Sequence, residues 1–135
     1  MALHIRDYRP SDAADLARLS ETGLRLGALP ALEAGVRVLA GLRSDSIAAV
    51  IWYYLDGETG IIPAILAKSG ARCRSDVQEL IAEASLWLNS RGAVIIEVAT
   101  TPGNEDVLAG LEEMDFRVDE RAGVMRRLVP ARSAA

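Results

Sequence analysis

The feature that most constrains the fold is a helical segment followed directly by an apolar strand. Residues 75–91 carry apolar side chains on one helical face. That face consists of Val77, Leu80, Ile81, Ala84 and Leu88. Gly92 ends the helix, and residues 93–98 are almost entirely apolar, as expected for a central strand covered on both faces. This arrangement predicts a right-handed crossover helix between two parallel strands.

The segments before this unit predict strands and helices that lead into it. Residues 3–8 alternate as a half-buried strand, and Ser11 suits the N-cap of a first helix. The apolar face of that helix includes Leu16, Leu19, Gly23 and Leu24. A second short helix is expected over residues 30–34, where proline fits a first turn.

Three β-rich runs follow. Residues 36–42 and 47–55 are joined by residues 43–46, which have the composition of a hairpin turn, although the first run also fits an extension of the preceding helix. The third run, 61–68, contains Pro63, which removes a ladder donor and implies an edge strand or a bulge.

The C-terminal part predicts one more helix and a closing pair of strands. Asn104 is placed to cap the helix, and residues 116–118 and 124–128 form an antiparallel pair. The predicted order is β-α-α-β-β-β-α-β-α-β-β, an α/β fold with a mixed central sheet flanked by helices. We expect one domain over residues 1–130 and a frayed tail over 131–135.

Composition narrows the class of protein. Half of the 135 residues are hydrophobic, the formal net charge is −4, and no run is long and apolar enough for a membrane helix. The single cysteine, Cys73, fits a reducing compartment, so we expect a cytoplasmic protein without membrane contact. An acidic chain with scattered basic residues disfavours nucleic acid as a partner.

The element order, the Ile5-Arg6 opening strand and the Pro10-x-Asp12 helix start resemble the GNAT N-acetyltransferase family over residues 3–129. The family motif Gln/Arg-x-x-Gly-x-Gly/Ala lies at a strand-to-helix turn, where glycines let backbone N–H groups approach the pyrophosphate of CoA. With Trp87 and Gly92 as anchors, it falls on Arg72-Cys73-Arg74-Ser75-Asp76-Val77. The arginine matches and the two small positions do not, so the chain resembles a divergent member with a degenerate acyl-CoA motif.

A second family segment, Asn-x-x-Ala-x-x-x-Tyr-x-x-x-Gly-Phe, aligns with the last helix. Asn104 and Phe116 match, whereas Leu111 stands where many relatives carry the tyrosine that protonates the departing thiolate. The resemblance therefore implies acetyl-CoA or another acyl-CoA as co-substrate, with no metal, and a general acid that is missing or replaced by water. The implied cofactor-binding residues are Ala67, Lys68, Arg72, Cys73, Arg74, Ser75, Asp76, Val77 and Asn104.

The start of the crossover helix also has an ordinary structural interpretation. Ser75 and Gln78 have the spacing of a capping box, with Ser75 at the N-cap. In that interpretation Asp76 complements the helix dipole, and its charge would repel pyrophosphate. Arg72 and Arg74 shift the local balance back toward an anion, although loop arginines are commonly solvated.

Other side chains have a catalytic and a structural interpretation. Within the resemblance, Glu97 on the apolar strand is the candidate base, since burial favours a carboxylate that accepts protons, and the alternative is a solvent-facing position near the strand end. Tyr53 and Tyr54 are candidates for a substrate pocket or for core packing. Cys73 has no neighbouring histidine in the sequence, and His4 on the first strand has a structural interpretation.

The leading hypothesis is an acyl-CoA-dependent N-acyltransferase in which a small amine attacks the thioester directly. One alternative is a catalytically inactive GNAT-fold module that binds a ligand or another protein, and another is an unrelated α/β protein. The apolar run Ile51-Trp52-Tyr53-Tyr54 suggests a surface for a homodimer.

Overall fold

A mixed eight-stranded sheet with helices on both faces dominates the computed structural model, which describes residues 3–28, 30, 35–100, 105–119 and 124–128. The strands are β1 His4–Asp7, β2 Leu24–Gly27, β3 Arg37–Arg43, β4 Ser46–Asp56, β5 Thr59–Ala67, β6 Ile95–Ala99, β7 Arg117–Asp119 and β8 Val124–Leu128. The helices are α1 Ala13–Thr22, which follows a 3-10 turn at Pro10–Asp12, α2 Cys73–Ser90 and α3 Glu105–Glu113. The strand order is β1-β3-β4-β5-β6-β8-β7, and β2 pairs with β5 off this path.

The crossover expected from the sequence is present. Helix α2 connects β5 to β6, and these two strands pair in parallel over Thr59–Ile62 and Ile95–Val98. The strands before and after this unit pair antiparallel, including the closing pair β7–β8. The predicted mixed sheet flanked by helices is therefore confirmed.

The ambiguous run after residue 35 is a strand. β3 pairs with β4 from Arg37 to Arg43, and the turn between them places Ser44 and Asp45 at positive φ. Two left-handed residues in a two-residue loop match the twist of the flanking strands, which is the geometry of a tight hairpin. The hairpin prediction is confirmed and the helix alternative is wrong.

Pro63 lies at a bulge in the central strand β5. Trp52 pairs with Ala64 and Tyr54 pairs with Ile61, so two residues of β5 oppose Tyr53 alone. A bulge tolerates the missing N–H of proline and bends the strand. The sequence predicted either an edge strand or a bulge at Pro63, and the structure has the bulge.

The first helix is shorter than its apolar pattern predicts. α1 ends at Thr22, Gly23 is extended with φ −87° and ψ 175°, and Leu24 opens β2. A Cβ on Gly23 would lie 2.6 Å from the carbonyl oxygen of Ala67, so the chain turns here to approach β5 closely. Leu24 thus belongs to a strand that the sequence pattern did not predict, and the helix predicted over 30–34 lies, apart from Pro30, outside the described residues.

Two apolar clusters cover the two faces of the sheet. Helices α2 and α3 pack on one face with Ile51, Ile62 and Ile96, and α1 packs on the other with Val50 and Leu66. Ile51, Trp52 and Tyr53 are buried inside the chain, because α2 and α3 cover one face of β4 and α1 covers the other. The run Ile51–Tyr54 is therefore not a dimer surface, while a homodimer as such stays a prediction.

Two further sequence expectations concern the termini and the membrane. The division into a domain over 1–130 and a tail stays a prediction, since residues 129–135 lie outside the described part. Within that part, none of the helices has both the length and the apolar character that a membrane crossing requires.

The N-terminal turn is held by Asp12 and not by the predicted cap, Ser11. The carboxylate of Asp12 accepts hydrogen bonds from Arg6 Nη1 at 2.7 Å, Arg6 Nη2 at 2.8 Å and the Arg9 backbone N–H at 2.8 Å. Chiefly through the bonds from Arg6, the pKa of Asp12 falls from 3.8 to about 2. The charged carboxylate therefore stabilises the fold above about pH 4, and this contribution disappears as the pH falls through about 2.

We predict that Asp12→Asn lowers the free energy of unfolding at neutral pH by on the order of 2 kcal/mol, because it removes charge-assisted hydrogen bonds. The difference from the native protein should shrink as the pH falls from about 4 toward 2, measured by urea denaturation. Asp15→Asn is the control, since Asp15 pairs with Arg18 on an exposed helix surface. The same pH dependence in both variants would contradict the assignment.

Candidate functional site

A cavity of about 250 Å³ lies where β5 ends and α2 begins. Its lining comes from the β3–β4 hairpin, the loop after β5 and the first turn of α2: Arg43, Ser46, Ile47, Ala48, Lys68, Ser69, Gly70, Ala71, Arg72, Cys73 and Asp76. Arg43, Lys68 and Arg72 bring positive charge to this lining, and Asp76 brings negative charge. Four of the residues implied by the motif, Lys68, Arg72, Cys73 and Asp76, therefore share one cavity.

Asp76 is paired with Arg43 inside the cavity wall. Arg43 Nε donates to Asp76 Oδ1 at 3.0 Å and to Oδ2 at 3.3 Å, and Arg43 Nη2 also contacts Oδ1. Asp76 is only 2% exposed, and its hydrogen bonds raise the pKa of Arg43. The carboxylate of Asp76, which was expected to repel a phosphate, is thus neutralised by Arg43. Arg43 lies 33 positions earlier in the chain, so no short-range sequence pattern links the two residues.

Helix α2 begins at Cys73, two residues before the predicted N-cap. Arg72 is the N-cap residue, and Ser75 Oγ donates to the Arg72 carbonyl oxygen at 3.1 Å. Gln78 Nε2 donates to the carbonyl oxygen of Gly110 at 2.9 Å, on α3, and does not reach back to the helix start. The capping-box interpretation of Ser75 and Gln78 is therefore wrong.

Three other residues of the implied cofactor-binding set have different surroundings. Arg74 Nε donates to the Asp106 carbonyl oxygen at 3.2 Å, and its guanidinium also pairs with the carboxylates of Asp106 and Glu113 on α3. Val77 is buried in the core between α2 and the sheet, and Ala67 is buried in β5 between β4 and β2. Their proposed contacts with a cofactor stay predictions, and so does that of Asn104, which lies outside the described residues.

Cys73 is one of the cavity-lining residues, but it also packs in the main core and is only 3% exposed. Burial, with smaller contributions from Asp106 and Asp76, raises the pKa of this thiol above its usual 9. His4 lies on β1, the first strand in the sheet order, and does not line the cavity. A protonated, buried thiol is a poor nucleophile.

A second cavity, of about 310 Å³, adjoins the first. It shares Ser46, Ile47 and Lys68 with the first cavity and is closed by α1 residues. Those residues are Asp15, Arg18, Leu19 and Thr22. Lys68 therefore stands between a cavity at the start of α2 and a cavity beside α1.

Glu97 lies on β6 and lines neither of these two cavities. Its neighbours Ile96 and Val98 are buried under α2 and α3, so its side chain points to the opposite face of the sheet. There Arg126 Nε donates to Glu97 Oε1 at 2.8 Å, and Arg126 also contacts Asp119. The structure therefore does not bring the candidate base together with the cavity residues.

The two candidate substrate residues point to opposite faces of β4. Tyr53 is buried under α2, where its ring packs edge-on against Trp87 at 5.6 Å and its hydroxyl accepts a hydrogen bond from Arg37 Nε at 3.2 Å. Burial raises the pKa of Tyr53. Tyr54 is half-buried on the other face, and neither tyrosine lines the two cavities.

Leu111, which the sequence alignment places at the family tyrosine, lies on α3 and is fully buried in the core, at 0% exposure. An aliphatic side chain there fills the core and cannot donate a proton. Among the described residues, no group of three or more histidine, cysteine, aspartate or glutamate side chains is arranged to hold a metal ion.

Comparison with known proteins identifies the fold. No protein-family model matches the sequence, and no curated protein matches it significantly. Solved structures do match over nearly the whole chain. The ribosomal-protein-S18-alanine N-acetyltransferase of Escherichia coli superposes with a TM-score of 0.76 at 11% identity, covering 98% of this chain and 97% of that one.

Two further structures agree. The PaiA N-acetyltransferase of Thermoplasma acidophilum, in complex with coenzyme A, has a TM-score of 0.75 at 11% identity, with 96% and 100% of the two chains covered. A GNAT-family acetyltransferase of Streptococcus pneumoniae has a TM-score of 0.68 at 17% identity, with the same coverage. The chain therefore has the GNAT acetyltransferase fold, as its element order implied.

We predict that Cys73 reacts with iodoacetamide at pH 8 at least about tenfold more slowly in the folded protein than in guanidinium, because the thiolate is scarce and shielded. Mass spectrometry of the alkylated fraction over time gives the rates. In a Cys73→Ser background, Ser69→Cys should react at close to the unfolded rate, since Ser69 is exposed. Equal rates for Cys73 in both states would contradict the burial described here.

Proposed function

We propose that this chain is an acyl-CoA-dependent N-acyltransferase that transfers an acyl group, in the simplest case acetyl, to a small amine. The observation that carries the proposal is the cavity between the end of β5 and the start of α2, lined by Arg43, Lys68 and Arg72 in a GNAT fold. The coenzyme A bound to a structure with this fold supports the same co-substrate here.

The cavity lining suits an anionic group. Lys68 and Arg72 supply positive charge, and the start of α2 adds backbone N–H groups and the positive end of the helix dipole. Arg43 offsets the charge of Asp76, so that carboxylate does not prevent a phosphate from entering. At about 250 Å³ the cavity is smaller than the roughly 300–1,000 Å³ of pockets for drug-sized ligands, so it suits the pyrophosphate rather than the whole of CoA.

In the proposed reaction, the amine nitrogen attacks the thioester carbonyl carbon. A C–N bond forms, the C–S bond breaks, and the amine proton leaves to a base, for which Glu97 is our candidate. The thiolate takes a proton from water, because Leu111 has none to give.

A second candidate function is a GNAT-fold module that binds a ligand or a protein without catalysis. Two observations favour it specifically. Arg126 holds Glu97 in an ion pair, and the position of the family acid is filled by the core residue Leu111. Binding of acyl-CoA without transfer to any amine would distinguish this function from the first.

We predict that acetyl-CoA at about a hundred times its Kd stabilises the protein by about 2.7 kcal/mol, measured by thermal or chemical denaturation. Lys68→Ala and Arg72→Ala should each weaken binding roughly 10- to 150-fold, because each removes a charge-assisted contact worth about 1.5–3 kcal/mol. Arg117→Ala is the matched control, since Arg117 is an exposed arginine on β7 that does not line the cavity. No stabilisation of the unmodified protein by millimolar acetyl-CoA would refute the proposed function.

If transfer occurs, we predict that Glu97→Gln lowers kcat roughly 10²–10⁴-fold and removes the decline of the rate at acidic pH, since the amide cannot accept a proton. Asp119→Asn is the control, because Asp119 shares Arg126 with Glu97 but is not assigned to the chemistry. The measurement is the pH dependence of kcat in both variants. An unchanged profile in Glu97→Gln would show that another group is the base.

A further inference from the structure

Two different strands share one edge of β5. From Thr59 to Ile62 that edge pairs with β6, and from Ala64 to Ala67 it pairs with β2, so Pro63 marks the change of partner. The other edge of β5 pairs with β4 on both sides of the bulge. The backbone of Ala64–Ala67 therefore has a strand on each side.

β2 lies in the wedge where β5 and β6 separate. Gly27 is paired with Ala64, at the narrow end of the wedge. A Cβ on Gly27 would lie 1.9 Å from the Pro63 carbonyl oxygen and 3.0 Å from the Ala99 Cβ, so this end of β2 fits only because it has no side chain. Leu26 is buried in the main core at 2% exposure and anchors the strand.

An acyl-CoA bound at the proposed site needs the same backbone. The pantetheine arm is extended and carries two amide groups, which bind most simply to a strand edge, as extended peptides do. An arm that leaves the proposed pyrophosphate cavity along β5 passes Lys68 and then reaches Ala67, and Ala67 is paired with Leu24 of β2. A backbone group that bonds to β2 is not available to a ligand.

We propose that β2, Leu24–Gly27, is an autoinhibitory strap that covers the β5 edge in the resting protein and leaves it when acyl-CoA binds. This inference rests on the proposed acyl-CoA site. A strand of four residues is short enough to open locally while the rest of the sheet stays folded. The apparent affinity for acyl-CoA is then the intrinsic affinity reduced by the fraction of molecules in which the strap is open.

Gly27→Ala tests the strap directly. Gly27 has φ +73°, and the added Cβ would collide with the carbonyl oxygen of Pro63. The substitution should therefore separate the end of β2 from β5. We expect the Kd for acetyl-CoA to fall about tenfold, as a tenfold larger open fraction requires. Without ligand, hydrogen exchange of the amides in Ala64–Ala67 should become faster.

Gly57→Ala is the matched control. Gly57 has φ +62°, and a Cβ there meets no atom within 4 Å, so this variant carries similar backbone strain without touching β2. Its Kd and its exchange in Ala64–Ala67 should equal those of the unmodified protein. A tighter Kd in both variants would overturn the strap, because strain unrelated to β2 would then explain the effect.

Amide hydrogen exchange in the unmodified protein tests whether β2 leaves the β5 edge on ligand binding, even if Gly27→Ala does not fold. Saturating acetyl-CoA should speed exchange in Leu24–Gly27 while Ala64–Ala67 stay protected, because the ligand replaces the strap. Binding with unchanged exchange in Leu24–Gly27 overturns the strap and leaves the proposed function intact. Absence of binding to both proteins overturns the acyl-CoA site, and the strap with it.

Discussion

The structure depends on how the central strand β5 satisfies the hydrogen bonds of its backbone on both edges. β4 covers one edge, whereas the bulge at Pro63 bends the strand and ends its parallel pairing with β6 at Ile62. Buried backbone groups beyond that point need other partners. β2 provides them, and its insertion sets the end of α1, the close approach of Gly23 and Gly27, and the closed wedge between β5 and β6.

Ion pairs between distant segments define what the candidate site offers a ligand. Arg43 neutralises Asp76, Arg74 joins α2 to α3, and Arg126 holds Glu97 and Asp119 together. In these pairs, two charged residues of the degenerate motif, Asp76 and Arg74, and the candidate base Glu97 each have a structural partner. The cavity nevertheless keeps the positive charges of Lys68 and Arg72 at the start of a helix.

Local patterns predicted the elements whose signals are complete within a few residues. The five apolar positions of α2, the apolar run of β6 and the hairpin at Ser44-Asp45 each specify their own geometry, and the missing N–H of Pro63 specified a bulge or an edge. The predictions at Ser11, Ser75 and Leu24 were wrong. Each assumed an interaction within the residue's own helix, whereas the structure has a different hydrogen bond or strand pairing there. Asp12 bonds Arg6 and Arg9 near Ser11, Gln78 bonds α3, and Leu24 pairs with Ala67.

The sequence by itself determined the α/β class, the parallel crossover and the placement of Arg72, Cys73 and Asp76 at one strand-to-helix turn. These follow from periodicity and chain connectivity, which act over short distances. Only the tertiary structure decided that Arg43 joins that turn, that Glu97 points to the other face, and that β2 covers the β5 edge. Those arrangements depend on contacts between residues about 30 to 40 positions apart. Such contacts are determined by burial and by backbone pairing in the folded chain, and a local sequence pattern does not predict them.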